Sequence, residues 1–351
     1  MSTPTLQYEP REAAMSSLRH RAARLVLSTI KQPETMTCVL LLVALGVGSS
    51  MSPFFLDARY LLDKTSSYIP VGFMALAMTF VIIAAQIDLS VASGSLLTAV
   101  ISAWAHSRGV PMPVVMVLSL LIGLGLGLFN GVLVAYLKLP SLVVTLGTLA
   151  LYRGLAQGWI GDGRISGFPQ WFLGIDYVKL GIVPLPLMLL LGVAAALGLI
   201  LTRSTFGRKV FALGTNESAT RYSAIDVARV KLGVFALSGL SMGAAALVQM
   251  SQIRTIDQKQ FRSDELLAIT AVVLGGTSIF GGRGSILGTV LALLLLVVVR
   301  SAMGVANVRV ENQLAIIGSM LVASVLLSDI FSRINLRAPK PIGLDPGASN
   351  A

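Results

Sequence analysis

Side chains able to hold a polar solute are scarce in this chain, and they cluster. The stretch VIIAAQIDLSVASGSLLTAV sets Gln86, Asp88, Ser90, Ser93 and Ser95 into an otherwise apolar region, and Asn130, Thr145 and Thr148 interrupt a second apolar block in the same way. Amides and hydroxyls spaced like this offer neutral hydrogen bonds, which suit a polyol that needs no counter-charge. Asp88 is the exception. A carboxylate at the centre of a membrane helix costs about 3 kcal/mol on insertion scales. It therefore either faces a pathway of protein and water, or caps the next helix while Ser90 bonds the first turn.

A third group is defined by glycine. AVVLGGTSIFGGRGSILGTV holds Gly275, Gly276, Gly281, Gly282, Gly284 and Gly288. Each glycine costs a continuous helix up to about 1 kcal/mol relative to alanine. The spacing predicts a broken or re-entrant segment, which a bilayer tolerates only where it lines a cavity or is buried in protein. A short echo links this stretch to the first: SGSLLTAV at 93–100 and RGSILGTV at 283–290. Glycine-interrupted segments in corresponding halves point to a transport pathway.

Catalytic chemistry has little to work with. His20 and His106 lie in unrelated segments, Cys38 is the one cysteine, and no nucleophile with base, metal-ligand spacing or pair of intramembrane carboxylates stands out. The Gly-x-x-x-x-Gly-Lys-Ser/Thr phosphate loop is missing as well, so any ATP must be hydrolysed by another chain. No cofactor is expected. A membrane-embedded enzyme is the weakest class; a self-sufficient secondary transporter or channel remains open, with Asp88 its sole candidate relay.

The elements that must position these residues follow from composition. Of 351 residues 55% are hydrophobic and 12% charged, the balance of an integral membrane protein. The net charge of +11 does not indicate nucleic acid, because the basic residues flank apolar stretches instead of forming a run with interleaved aromatics. A span needs roughly 20 apolar residues. By that measure the fold is all-α, with about ten transmembrane helices and broken or re-entrant segments: Met36–Phe54, Ser66–Ala85, Val91–His106, Val114–Tyr136, Ser141–Trp159, Ile182–Leu201, Leu232–Met250, Leu266–Phe280, Ser285–Met303 and Gln313–Phe331. Gly123, Gly125 and Gly127 let the fourth approach a neighbour closely. With the N-terminus inside, sixteen Lys and Arg fall in inner segments and nine in outer ones, which places both termini in the cytoplasm.

The resulting division is a tail over 1–35, a permease domain over 36–331 and a second tail over 332–351. In the first tail, Ala13 to Ile30 alternates arginine with aliphatic residues, either as an interfacial helix among lipid headgroups or as a topology anchor. No short apolar region with a small-residue cleavage site stands at the start, so no cleavable leader is expected.

The longest basic insert, Arg203 to Lys231, joins two spans. Gly214-Thr215-Asn216 forms a turn, Asn216 or Thr215 caps a short surface helix from Ser218 to Ile225, and Glu217 sits in its first turn. By composition this is a topology-setting loop or a docking element.

The run GRKVFALGTNESATRYSAIDVARVKLGVFALSG resembles the cytoplasmic coupling loop of permease subunits in ATP-binding-cassette importers of the ribose and monosaccharide class. Asp88 to Ser93 is similar to that family's Asp-Leu-Ser-Val-Gly-Ser, with Ala92 at the glycine. Asn130-Gly, Pro140 to Thr148 and Tyr152-Arg-Gly match it most closely. The resemblance implies that Gly214, Asn216, Glu217, Ala219 and the turn Ser223-Ala224-Ile225, with alanine for the usual glycine, couple to an ATPase. The polar and glycine-rich interruptions then suggest a solute pathway past Gln86, Asp88, Ser90, Asn130, Thr145, Thr148, Gly275, Gly276 and Gly282. The implied partners are cytoplasmic ATP-binding subunits, a second permease of the same or a homologous kind, and a periplasmic sugar-binding protein, at the bacterial inner membrane. VPMPVV and RYSAI are similar to permeases for rhamnose-like sugars and for the furanose-like autoinducer signal.

Overall fold

Apolar length decides where the helices form, and polar or glycine-rich stretches decide where they stop. A computed structural model describes residues 33–335, with side chains over 34–326. Both expected tails lie outside these residues except for a few at each junction, and so does the stretch Ala13 to Ile30.

Along the chain run α1 (Pro33–Met51), α2 (Ala58–Ser66), α3 (Ile69–Ile83), α4 (Val91–Ser107), α5 (Met112–Ala135) and α6 (Ser141–Ile160). After β1 (Ile165–Ser166), α7 (Gln170–Leu173), β2 (Lys179–Leu180) and β3 (Val183–Pro184) come α8 (Leu185–Arg203), α9 (Thr205–Thr215), α10 (Glu217–Tyr222) and α11 (Val227–Ile253). The chain continues through β4 (Thr255–Ile256), α12 (Asp264–Leu274), α13 (Ile286–Val305) and α14 (Val310–Asn335). Each expected span overlaps a helix, but the expected Leu266–Phe280 span is helical only as far as Leu274, where the glycine-rich break begins. By length and composition five helices can cross a membrane, or six if α2 and α3, bent by 65°, count as one span.

The fold is not purely helical: β1 pairs antiparallel with β4, and β2 with β3. Two-residue strands carry no alternation, so the sequence does not announce them. They mark one end of the bundle, called here the hairpin end. The other, the loop end, carries α9 and α10.

The axis is α11, which packs along α5 and also touches α3 and α4. Glycines permit that approach: Gly123 and Gly127 on α5 face Gly239 and Gly243 on α11. A Cβ on Gly239 would lie 2.9 Å from the Gly127 Cα. Without solvent to drive helices together, such backbone contact is the source of the packing. Ser119 adds a hydrogen bond to the Gly243 carbonyl at 3.1 Å.

The loop end departs from the expected boundaries. Gly214 and Thr215 continue α9, which the sequence reading leaves as loop, and only Asn216 turns, with φ −162°. Its side chain accepts from the Ala219 N–H at 2.9 Å, capping α10 as expected, but the helix ends at Tyr222 and not at Ile225, because Ala224 leaves the helical region. Asp226 likewise accepts from the Arg229 N–H at 3.1 Å, so α11 begins at Val227, five residues before the expected span. Between the two caps, exposed Ala224 adopts φ +57°. The left-handed region costs an L-residue roughly 1–2 kcal/mol. Ala224→Gly therefore stabilises the loop by about 1 kcal/mol, expected as roughly fivefold slower amide exchange over residues 217–226.

Candidate functional site

The first interruption lies between α3 and α4, where the seven residues 84–90 leave the helical path. Its backbone would be exposed to hydrocarbon unless other elements held it. Two side chains from the first turns of α6 do so at a single residue: Ser141 accepts from the Ile87 N–H at 3.2 Å, and Thr145 donates to the Ile87 carbonyl at 3.1 Å.

One residue on, Asp88 is fully buried, and both its oxygens are occupied. Oδ1 accepts from the Ser90 N–H at 3.0 Å and the Ser90 hydroxyl at 2.6 Å, and Oδ2 accepts from the Ser238 hydroxyl on α11 at 2.6 Å. Asn130 of α5 donates to Ser90 Oγ at 2.8 Å, and the Tyr152 hydroxyl of α6 shares its one proton between the Leu126 carbonyl at 3.0 Å and Asn130 Oδ1 at 3.3 Å. This buried knot ties the interruption to α5, α6 and α11. Among the described residues no cation pairs with Asp88; its charge is met by hydrogen-bond donors alone.

The sequence reading reaches Asp88, Ser90, Asn130 and Thr145, and the structure brings them together. It misses Ser238 and Tyr152, whose types are unremarkable in a serine- and aromatic-containing helix. Thr148 is also buried, but it spends its hydroxyl on its own helix, at the Val144 carbonyl 3.1 Å away. Gln86, bonded to the carbonyls of Ala84 and Ala85, stands outside the knot. It lines a cavity of about 680 Å³ at the loop end together with Lys138, Ser141, Glu217, Arg221 and Lys231.

The second interruption, 275–285, lies elsewhere. Gly275 packs on Gly288 of α13, while Gly276, Gly281 and Gly282 take φ +89°, +84° and +72°. The Gly282 N–H donates to the Ile83 carbonyl at 2.9 Å, joining this break to the end of α3. Gly214, at the end of α9, closes the junction from below. A Cβ there would overlap the Ile83 carbonyl oxygen and lie 2.6 Å from the Gly282 nitrogen. The basic loop thus touches both interruptions at one point. In α10, Glu217 pairs with Lys231 at 2.8 Å and Arg221 at 3.2 Å, fixing the short helix to the start of α11, and Ala219 is exposed. Ser223 donates to the Ala219 carbonyl at 3.0 Å, and Ile225 is half-buried behind the turn.

Apolar helices around two polar or glycine-rich breaks, with a basic loop seated at their junction, make a multi-pass membrane permease rather than a catalyst. The chain belongs to the family described as the branched-chain amino acid transport system / permease component, which matches residues 60–325. It is similar to proteins named autoinducer 2 import system permease protein LsrD. The relative from Klebsiella pneumoniae subsp. pneumoniae is 36% identical over 299 residues, covering 84% of this chain and 90% of that protein. Those from Enterobacter sp. (strain 638) and Escherichia coli (strain K12) are each 36% identical, covering 84% of this chain and 91% of theirs. No solved structure matches. The chain is therefore the transport subunit of an ATP-binding-cassette importer, a class that works with ATPase and substrate-binding subunits.

Proposed function

We propose that this chain forms half of a pathway that brings a small, uncharged, hydroxyl-bearing solute of the autoinducer 2 or monosaccharide type across the bacterial inner membrane. The observation that carries the solute class is the substrate named by relatives covering 84% of the chain. The neutral hydrogen-bonding character of Gln86, Ser90, Asn130, Thr145 and Thr148 is consistent with it.

In this reading ten helices cross the bilayer: α1, α3, α4, α5, α6, α8, α11, α12, α13 and α14. An even number leaves both termini at the loop end, and the excess of basic residues on that side supports placing it in the cytoplasm. The solute passes Asp88 and its neighbours and the break at Gly275, Gly276 and Gly282 when the bundle rearranges, then leaves by the cavity beside Gln86. Cytoplasmic ATPase subunits seat against α9 and α10, where Tyr222 is 93% exposed. Gly214, Asn216, Glu217, Ala219, Ser223, Ala224 and Ile225 hold the docking shape. A second permease, the same or homologous, completes the pathway, and a periplasmic binding protein delivers solute at the hairpin end.

The test is uptake of labelled autoinducer 2 by cells lacking their own permease of this kind and supplied with this chain and its cognate ATPase and binding protein. Accumulation should depend on the ATPase and fall at least tenfold when it is inactivated. Accumulation without the ATPase, or none with the chain present in the membrane, overturns the reading. Rhamnose and ribose in excess report how far the pathway itself selects.

A further inference from the structure

At the hairpin end, away from the proposed pathway, α2 lies across the top of α13. The Asp57 carboxylate caps α2 by accepting from the N–H groups of Arg59 and Tyr60 at 2.7 and 3.2 Å. Tyr60 and Lys64 stand one turn apart on this helix. They share a cavity of about 300 Å³ with Tyr68 and with Arg300, Ser301 and Gly304 of α13.

Both cations lean on aromatic faces: Lys64 Nζ is 5.6 Å from the Tyr60 ring centre, and Arg300 Cζ is 5.5 Å from that of Tyr68. Arg300 Nη1 donates to the Tyr68 hydroxyl at 3.3 Å, but Nε is buried with no hydrogen-bond partner. Among the described residues, neither cation has a carboxylate within ion-pair distance. Asp63, adjacent to Lys64, is instead bonded to Lys179 at 2.7 Å. Exposed Phe54 and Leu56 stand just before α2, as apolar residues do at a membrane surface.

We propose that this pocket holds the phosphate of an anionic phospholipid headgroup. The guanidinium fork suits phosphate oxygens, Lys64 supplies the second charge, and the flanking apolar residues receive the acyl chains. A free phosphate would satisfy the cations but leave exposed Phe54 and Leu56, next to α2 in the chain, unused. The inference needs only that the chain is a multi-pass membrane protein and is independent of the solute carried.

Thermal unfolding of the full-length chain in neutral detergent tests it. Phosphatidylglycerol should raise the midpoint, while phosphatidylcholine of the same acyl chains and inorganic phosphate should not. Lys64→Gln, at an exposed position that folding tolerates, should cut the rise to half or less, and Arg300→Gln should cut it further. An equal rise with phosphatidylcholine, whose phosphate bears the same charge beside a choline cation, overturns selection for a net anionic headgroup. A rise with inorganic phosphate alone overturns the lipid source. An undiminished rise in Lys64→Gln overturns the placement.

Discussion

Gly214→Val should abolish coupled uptake while the chain still reaches the membrane. The position has no room: a Cβ would overlap the Ile83 carbonyl and press on the Gly282 nitrogen, and these two groups make the hydrogen bond that joins the interruptions. A branched side chain must push α9 off the junction or break that bond. Overpacking of this kind costs about 1–3 kcal/mol, concentrated on one tight mechanical contact. If movement of the ATPases reaches the breaks through α9, solute uptake falls tenfold or more while ATP hydrolysis by the assembled transporter persists. Gly214→Ala, a smaller wedge, gives an intermediate loss and guards against a variant that fails to insert. Gly125→Ala, where nothing lies within 4 Å of the added atom, is the control. Wild-type uptake by Gly214→Val would remove this junction from the transmission path.

Why Gly214 matters was only partly legible before the fold. The resemblance marked it as a coupling residue, yet the sequence reading made it part of a turn; its contacts come from residues about 70 and 130 positions away, which no local pattern reports. The interruptions themselves were readable, because a carboxylate in apolar sequence and a run of glycines each conflict with a continuous membrane helix. The α5 glycines announced a close contact, but not that Gly239 and Gly243 receive them. Serine or glycine every fourth residue is common enough in membrane helices to mark no particular partner. The α9 helix escaped because Arg203 to Lys231 reads as solvent-facing, and amphipathic surface helices compete poorly with that signal. Ser238 escaped for the opposite reason. A hydroxyl in a long apolar helix usually bonds its own preceding turn, as Thr148 does here, and nothing local shows that this one reaches a carboxylate 150 residues away.

That carboxylate is where the second large effect is expected. Asp88→Leu leaves the Ser90 N–H, the Ser90 hydroxyl and the Ser238 hydroxyl facing an apolar side chain in a buried space. Each stranded donor costs about 1–3 kcal/mol when it finds no substitute. Ser238 has an easy escape to its own helix, and Ser90 N–H does not. The sum is several kcal/mol, taken from the point where α5, α6 and α11 are tied to the first break. Asp88→Leu should therefore unfold at a markedly lower temperature and transport nothing measurable. Asp88→Asn keeps one acceptor of nearly the same shape, so it should remain folded and retain at least a tenth of the uptake. Ser238→Ala removes one bond and should cost about 1–2 kcal/mol. Since both Asp88 oxygens are already occupied inside the protein, the knot acts on the movement of the bundle and not on first contact with solute. In Ser238→Ala the maximal uptake rate should fall while the solute concentration at half-maximal uptake stays unchanged. A shift in that concentration would mean that the solute meets Asp88 on first contact, before the bundle rearranges, and full stability of Asp88→Leu would mean that the break is held by Ser141 and Thr145 alone.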